Sequence, residues 1–217
     1  GFFLLNQQAG DYEADMTPEL LLLSADRVGV LVFALSGGIA AVRNDMDLFG
    51  VIVLAFLPAV GGGTLRDLIL DAPVFWLEDT VSLWLALLGG LLAFFFTRFL
   101  EDFKPLRWAD AVGLALFAVT GAAKAWGMGH GFIIIAIMGV MTASAGGLIR
   151  DVVANRDPLL LKEDIYATAA LAGAAVYAGL VYAGLDERIA FGVGMLAAFI
   201  LRALAIVFKL SLPRARP

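Results

Sequence analysis

Two short segments of this chain combine residue types that could handle ions in an apolar environment. Residues 61–67 read GGGTLRD and residues 145–151 read AGGLIRD, so an Arg-Asp pair follows each glycine cluster at the same spacing. Glycine lets a helix bend or lets another backbone approach closely. Arginine within an apolar span is costly unless it faces water, a partner or the membrane interface. The repetition of both features predicts that functional residues lie in these two segments.

The chemistry that such glycine clusters suit is coordination of a cation by backbone carbonyl groups. A break in a helix leaves carbonyl groups without intrahelical partners at the negative end of the helix dipole, and these groups can replace water around a monovalent cation. Pro58 adds to the predicted bend in the first segment, and Thr142 and Ser144 place polar groups just before the second. The alternative interpretation is close helix contact at small residues. The residues alone leave both interpretations open.

The charged residues near these clusters could act as gates. Adjacent side chains on a helix point about 100° apart, so we expect Arg66 and Asp67, like Arg150 and Asp151, to pair with other groups rather than with each other. Arg66 is predicted near the outer membrane boundary and Arg150 near the inner one. They are either snorkelling helix ends or vestibule charges at opposite mouths of one pathway. Lys124 either snorkels or moves with the transmembrane potential.

Composition and hydropathy place these segments in a membrane protein. The 217 residues are 61% hydrophobic and 16% charged, with a mean hydropathy of +0.91, whereas soluble domains carry about 25% charged residues. The chain has no cysteine, one histidine, no metal-ligand spacing and no cofactor motif, so we expect neither an enzyme nor a bound cofactor. A net charge of −5 does not indicate nucleic-acid binding.

Long apolar blocks between polar breaks predict seven transmembrane helices, because one span needs about 20 apolar residues. The predicted spans cover residues 27–42, 48–70, 80–99, 109–126, 131–153, 165–185 and 189–210. The predicted fold class is therefore an all-α membrane protein. Residues 1–25 are predicted to be a weakly ordered tail. Its first 15 residues are expected to be an added leader or an upstream extension, because Met16 resembles a natural start.

The distribution of Lys and Arg predicts the orientation of the spans. With the amino terminus outside, ten basic residues fall on the inner side and four on the outer side. We therefore expect an outside amino terminus and a cytoplasmic carboxyl terminus. The four tryptophans lie near predicted span ends, where amphipathic rings favour the headgroup region.

An internal repeat organises the predicted spans. A shift of 84 residues aligns residues 26–67 with residues 110–151 without a gap, and 12 of the 42 pairs are identical. A one-residue insertion beyond this alignment brings Pro73 onto Pro158. Each copy holds three spans, so the second copy must enter the membrane in the opposite direction, an arrangement that often builds a pathway between the repeats. The predicted division is a tail, two inverted three-helix repeats and an additional C-terminal helix with a cytoplasmic tail, over residues 1–25, 26–103, 104–187 and 188–217.

These features together resemble the bacterial branch of the trimeric intracellular cation channel family. The match rests on the paired glycine-Arg-Asp motifs, the inverted repeats and the seventh span, over residues 26–210. The resemblance implies a homotrimer in which each subunit has its own pore, lined by the second and fifth spans and permeable to potassium and sodium. It also implies a gating role for Lys124. The pathway residues, with Pro58 from the predicted bend and the others carried over by motif, are Pro58, Gly61, Gly62, Gly63, Thr64, Ser144, Gly146 and Gly147.

The expected function is that of a monovalent-cation channel in a bacterial inner membrane. Its expected partners are further copies of itself, membrane lipids and monovalent cations, and not nucleic acid. The alternative is a secondary transporter of a small solute, coupled to an ion and built on the same repeats, and a scaffold protein is third. The Lys-Glu-Val tripeptide of the animal members, which bind phosphoinositide, does not occur in this chain.

Overall fold

Apolar α-helices make up most of the structure, a computed structural model that describes residues 18–96, 105–162 and 165–210. Seven helices have 16 residues or more: α1 (Pro18–Val42), α2 (Leu48–Ile69), α4 (Val81–Phe96), α5 (Pro105–Gly127), α6 (Phe132–Val153), α8 (Ala167–Tyr182) and α9 (Glu187–Phe208). Two single-turn helices, α3 (Phe75–Glu78) and α7 (Leu159–Lys162), follow α2 and α6. The predicted leader, the last residues of the third predicted span and the tail after residue 210 lie outside the described residues.

Local sequence explains where α2 and α6 begin and end. Asp47 caps α2 because its side chain accepts a hydrogen bond from the Gly50 N–H at 2.8 Å. Two residues after the end of each helix the backbone is left-handed, at Asp71 with φ of 53° and at Asn155 with φ of 50°. Asp and Asn tolerate this conformation better than most residues. The N–H of the following residue then donates to the carbonyl five positions earlier, which closes both helix ends in the same way.

The helices agree with the predicted membrane spans in order and position. Five of them, α1, α2, α5, α6 and α9, are long and apolar enough to cross a membrane. The other two, α4 and α8, are apolar but have 16 residues each, or about 24 Å at 1.5 Å per residue. An all-helical membrane protein is therefore confirmed, and the count of seven crossings stays a prediction. The predicted tail extends too far, because α1 begins at Pro18.

Two groups of helices pack against each other, one built around α1 and the other around α6. α1 contacts α2 and α4, α6 contacts α5 and α8, and the two groups meet through α1 against α5 and α2 against α6. At the first of these contacts the rings of Phe33 and Phe117 stack with centroids 5.1 Å apart. Gly29 faces the Phe117 ring and Gly113 faces the Phe33 ring, so a small residue on each helix makes room for the ring on the other.

The 84-residue register extends further than the sequence predicted. Helix α3 shifted by 84 positions coincides with α7, just as α2 shifted by 84 coincides with α6. Only the next pair, α4 and α8, requires a shift of 86. The one-residue insertion that brings Pro73 onto Pro158 is therefore wrong, because the extra residues of the second repeat come after α7.

The glycine clusters do not break their helices. Both α2 and α6 are α-helical throughout, across residues 61–63 and 145–147. The predicted break, with freed carbonyl groups inside the membrane, is wrong. The glycines serve instead for close contact between helices, as the geometry of their crossing shows.

Candidate functional site

Helices α2 and α6 cross in direct backbone contact at their glycine clusters. A Cβ atom at Gly62 would overlap the carbonyl oxygen of Thr142, and a Cβ atom at Gly146 would overlap the carbonyl oxygen of Pro58. The two contacts are equivalent under the 84-residue shift, and they show that α2 and α6 run in opposite directions. Because a backbone carbonyl cannot turn away cheaply, only glycine permits this approach. Of the two interpretations of the clusters, the crossing supports close helix contact.

The other glycines of the two clusters face side chains rather than backbone. A Cβ atom at Gly61 would lie 2.9 Å from Cδ1 of Ile149, and one at Gly63 would lie 2.6 Å from Cε1 of Phe75. A Cβ atom at Gly147 would lie 2.6 Å from the hydroxyl oxygen of Tyr166. These three positions are therefore less constrained than the two glycines at the crossing.

The predicted polar groups of the pathway are bonded to their own helices. The Thr64 hydroxyl donates to the carbonyl oxygen of Val60 at 2.7 Å and accepts from Nε1 of Trp76 at 2.9 Å. The Ser144 hydroxyl donates to the carbonyl oxygen of Val140 at 2.7 Å. Hydroxyl groups held in this way still have acceptor capacity.

The first charge cluster, which we call the Arg66 cluster, consists of Asp26, Arg66, Asp67, Phe75 and Lys124. Arg66 Nε donates to Oδ1 of Asp67 at 2.7 Å, and Nη1 lies 3.8 Å from Oδ1 of Asp26. Lys124 Nζ lies 2.7 Å from the same Oδ1 of Asp67. The guanidinium also lies over the Phe75 ring, with its Cζ atom 5.7 Å from the centroid. Two cations thus share one carboxylate oxygen.

The second charge cluster, the Arg150 cluster, consists of Ser36, Asp110, Arg150, Asp151 and Tyr166. Arg150 Nε donates to Oδ1 of Asp151 at 2.8 Å, and Nη1 donates to Oδ1 of Asp110 at 2.7 Å and to the Ser36 hydroxyl at 2.5 Å. The Tyr166 hydroxyl donates to the same Asp110 oxygen at 3.1 Å. This cluster is a hydrogen-bond network among buried side chains, in which Oδ2 of Asp110 has no partner within the described part of the chain.

The expectation that adjacent Arg and Asp residues do not pair with each other is wrong in both segments, whereas the expected pairing of each arginine with another group is confirmed. Each arginine bonds the aspartate next to it, because its long side chain can turn its guanidinium sideways along the helix surface. The second oxygen of each aspartate accepts the first N–H of the following short helix, from Phe75 in one case and Leu159 in the other, at 2.9 Å. The aspartate of each pair therefore holds both the guanidinium group of the arginine and the start of the short helix.

The interpretation of the arginines as snorkelling helix ends is also wrong. The Arg66 side chain is 1% exposed and the Arg150 side chain 0%. Each arginine stands six residues from the midpoint of its helix crossing, or about 9 Å along the axis at 1.5 Å per residue. The two clusters therefore lie on opposite sides of the crossing. A charged side chain at such depth needs a partner, and both have one.

Lys124 is the main departure from the equivalence of the two clusters. Its place under the 84-residue shift corresponds to Ala40, which contributes no charge to the Arg150 cluster. Its side chain is 22% exposed, and its ammonium group is bonded to Asp67 rather than extended to the interface. The geometry thus brings Lys124 together with Arg66 and Asp67, and it keeps these residues apart from Arg150 and Asp151.

Several residues of the two clusters were not predicted as site residues. Asp26 and Asp110 bind the two arginines, the Phe75 ring lies against the Arg66 guanidinium, and the Tyr166 hydroxyl bonds Asp110. The aspartates had a signal in the sequence, because they are identical in the two repeats. Arg202 lies over the Tyr166 ring, with its Cζ atom 4.9 Å from the centroid, and donates to the carbonyl oxygen of Ile165 at 3.1 Å. Tyr166 and Arg202 lie outside the aligned residues of the two repeats, so the alignment gave no signal for them.

Comparison with protein families finds one match, which covers most of the helices. A family model described as glycine transporter matches residues 23–98 and residues 107–182. The two matched segments have the same length and are 84 residues apart. This spacing equals the shift that relates α2 to α6 and the Arg66 cluster to the Arg150 cluster.

Comparison with individual proteins finds bacterial relatives of similar length. The chain is 40% identical to the UPF0126 inner membrane protein YadS of Escherichia coli K12 over 200 residues, covering 89% of this chain and 96% of that protein. It is also 40% identical to a UPF0126 membrane protein of Vibrio cholerae over 209 residues, covering 94% of this chain and 86% of that protein. Among solved structures, the TRIC trimeric intracellular cation channel orthologue from Rhodobacter sphaeroides is 41% identical, with a TM-score of 0.84, over 88% of this chain and 99% of that one.

Proposed function

This chain belongs to the bacterial branch of the trimeric intracellular cation channel family, and we propose that it is a monovalent-cation channel of a bacterial inner membrane. The observation that carries the proposal is the 41% identity to a solved cation channel over almost the whole length of that channel. A second solved relative, a prokaryotic TRIC channel, is 29% identical with a TM-score of 0.84. Potassium and sodium are the proposed permeant ions, and the name of the E. coli relative supports the inner membrane.

We propose that α2 and α6 line the ion pathway in each subunit. The proposed pathway residues remain those of the two glycine clusters and their neighbours: Pro58, Gly61, Gly62, Gly63, Thr64, Ser144, Gly146 and Gly147. Because the helices are continuous, the ion would move along their surfaces and not through a helix break. Backbone contact between Gly62 and Thr142 leaves no room for an ion at the crossing. The arrangement is accordingly a closed one, and a small separation of α2 from α6 would open it.

Lys124 is the proposed gating charge. It is the partly exposed member of the Arg66 cluster, and its ammonium group is held by Asp67 beside α2. Asp67 would keep Arg66 as a partner if Lys124 moved away, so the movement would not leave a buried carboxylate without a cation. Among the described residues, the ion-pair partners of Arg150 and Asp151 are buried and include no partly exposed lysine, so these two residues are proposed to fix the opposite end of the pathway.

Replacement of Lys124 tests the gating role. We expect Lys124→Met to raise the potassium current at least about twofold, because a cation beside the pathway repels permeant cations and holds α2 in place. Arg188→Met is the matched control, since Arg188 is an exposed cation in the first turn of α9 and lies outside both clusters. A Lys124→Met current equal to that of the wild type and of the control would remove Lys124 from the gate.

Recordings from the purified protein in planar bilayers test the channel itself. A channel gives ohmic single-channel steps under potassium gradients, and substitution of sodium for potassium then gives the ion preference. Bilayers that stay silent under all voltages and ion gradients would reject the proposal. The relatives named as trimeric support a homotrimer, and crosslinking in membranes should give a ladder that stops at three.

The description of the matching family model favours one second candidate, an ion-coupled transporter of glycine. The inverted repeats would suit either activity. Uptake of labelled glycine into liposomes separates the two candidates, because a transporter gives saturable uptake without current steps. Current steps without glycine uptake would support the channel.

A further inference from the structure

A cavity of about 300 Å³ lies outside the proposed pathway, and none of the described residues that line it belongs to either charge cluster. It is an open cavity lined by the first turns of α1 and α9, the end of α5 and the middle of α8. Its polar lining consists of Glu19, Glu187 and Tyr177. No Lys or Arg is among the described residues that line it. The cavity therefore offers two carboxylates to a ligand without a competing cation on its wall.

The geometry of Glu187 and Tyr177 indicates a place for a ligand. Trp126 Nε1 donates to Oε1 of Glu187 at 2.6 Å, which orients this carboxylate at the cavity. Tyr177 is 1% exposed, and within the described part of the chain its hydroxyl has no hydrogen-bond partner. Tyr177 lines the cavity, so its hydroxyl group can form a hydrogen bond with a ligand there.

The rest of the cavity wall is apolar. Leu21, Leu22, Ala123 and Phe191 line it together with the backbone of Gly127. The volume is at the lower end of that of small-molecule sites. A metal ion is a poor occupant, since the described residues hold no group of three or more His, Cys, Asp or Glu that could bind one. A cation with an apolar body matches both the carboxylates and the walls.

We propose that this cavity binds a small organic cation, an alkylammonium group whose nitrogen lies between Glu19 and Glu187. The ammonium donates hydrogen bonds to the two carboxylates and to the Tyr177 oxygen, and its alkyl part contacts Leu22 and Phe191. The site does not depend on whether the chain is a channel or a transporter, because it is assigned from the cavity alone.

The binding of n-butylammonium to the purified protein, measured by calorimetry, tests the site. We expect one site per chain in the wild type and an affinity at least about tenfold lower in Glu187→Gln, since a hydrogen bond between charged groups is the stronger kind. Gln at this position keeps an acceptor for Trp126, so the fold is retained. Glu78→Gln is the matched control, because Glu78 is exposed and lies outside the cavity.

A second variant tests the cavity without changing charge. Gly127→Leu places a side chain into open space, since a Cβ atom there would meet nothing within 4 Å. It should abolish butylammonium binding, whereas Gly179→Leu, also into open space but away from the cavity, should not. Butanol should not bind, and potassium chloride should not displace the amine at equal concentration. Absence of butylammonium binding, equal binding in Glu187→Gln or Gly127→Leu, or displacement by potassium would each overturn the proposal.

The ammonium group could come from a free amine or from a lipid headgroup, and nanodiscs separate these sources. In discs of phosphatidylglycerol alone, butylammonium should bind as it does in detergent. If added phosphatidylethanolamine weakens this binding in the wild type, the headgroup occupies the site. If the added lipid has no effect, the ligand is a free amine. Either result supports an ammonium site, and failure to bind in phosphatidylglycerol discs counts against it.

Discussion

The Arg66 and Arg150 clusters occupy equivalent places on either side of the helix crossing, yet they differ in how tightly they are closed. Arg150 Nη1 lies 2.7 Å from Asp110, whereas Arg66 Nη1 lies 3.8 Å from the equivalent Asp26. Serine and tyrosine hydroxyl groups add hydrogen bonds to the Arg150 cluster. Each cluster keeps a buried polar atom without a hydrogen-bond partner in the described part of the chain, Nη2 of Arg66 in one and Oδ2 of Asp110 in the other.

The difference shows how one repeated motif can serve two purposes. The Arg66 cluster has two cations for two carboxylates, and one of the cations, Lys124, is partly exposed. The Arg150 cluster has one arginine for two carboxylates, with Arg202 over the Tyr166 ring. A single buried cation that holds two aspartates cannot leave without a large cost. The Arg66 cluster can lose Lys124 and keep a counter-charge, so we infer that motion is confined to its end of the molecule.

The largest expected effect comes from removing each arginine in turn. Arg150→Met leaves Asp110 and Asp151 buried without their shared cation, and we expect the free energy of unfolding to fall by about 3–5 kcal/mol. Arg66→Met leaves Lys124 beside Asp67, so we expect about half of that loss. Unfolding by SDS in mixed micelles measures both values. Equal losses in the two variants would contradict the difference between the clusters.

Much of the fold could be predicted from the sequence because apolar periodicity and charge act locally. Helix positions followed from apolar blocks, and the equivalence of the two segments followed from identical residues at a shift of 84.

The partners of the charged residues could not be predicted, because they depend on how the helices pack. Spacing on one helix excluded a bond between Arg66 and Asp67, but the length of an arginine side chain overrides the angle between neighbouring Cβ atoms. A glycine cluster is compatible with a broken helix or with a tight crossing. Only the carbonyl of Thr142 on the opposite helix decides between them at Gly62. The identical aspartates at positions 26 and 110 were the unused signal.

A smaller effect on stability is expected at the crossing of α2 and α6, and it should be the same on both helices although the two charge clusters differ. Gly62→Ala and Gly146→Ala each add a methyl group against a backbone carbonyl, and we expect each to destabilise the protein by about 1–3 kcal/mol. Gly61→Ala is the matched control, because its methyl group meets only the flexible end of Ile149. It should be neutral or gain up to about 1 kcal/mol from helix propensity. A loss at Gly61 as large as at its neighbour would mean that backbone contact is not the cause.

The smallest expected effect concerns a clamp present only beside the Arg66 cluster. Arg27 donates to both oxygens of Asp79 at 2.9 and 3.0 Å and ties the end of α3 to α1, and Ala111 stands at the equivalent place in the second repeat. These hydrogen bonds hold the pKa of Asp79, between α3 and α4, below its usual value. A carboxyl group with a lowered pKa in the folded state stabilises the fold above its unfolded pKa of about 4 and loses this contribution as the pH falls through the folded value.

We therefore expect Asp79→Asn to lower the free energy of unfolding at pH 7 by less than about 1 kcal/mol, since the Arg27 side chain is 37% exposed and screened by solvent. The difference between this variant and the wild type should stay constant from pH 7 to about pH 5 and shrink below about pH 4. Because the other carboxylates are the same in both proteins, the difference in the free energy of unfolding reports on Asp79 alone. Glu78→Gln is the control for the loss of an exposed charge nearby. A difference that grows as the pH falls would mean that Asp79 is destabilised by its surroundings, and the clamp would then not distinguish the Arg66 end from the Arg150 end.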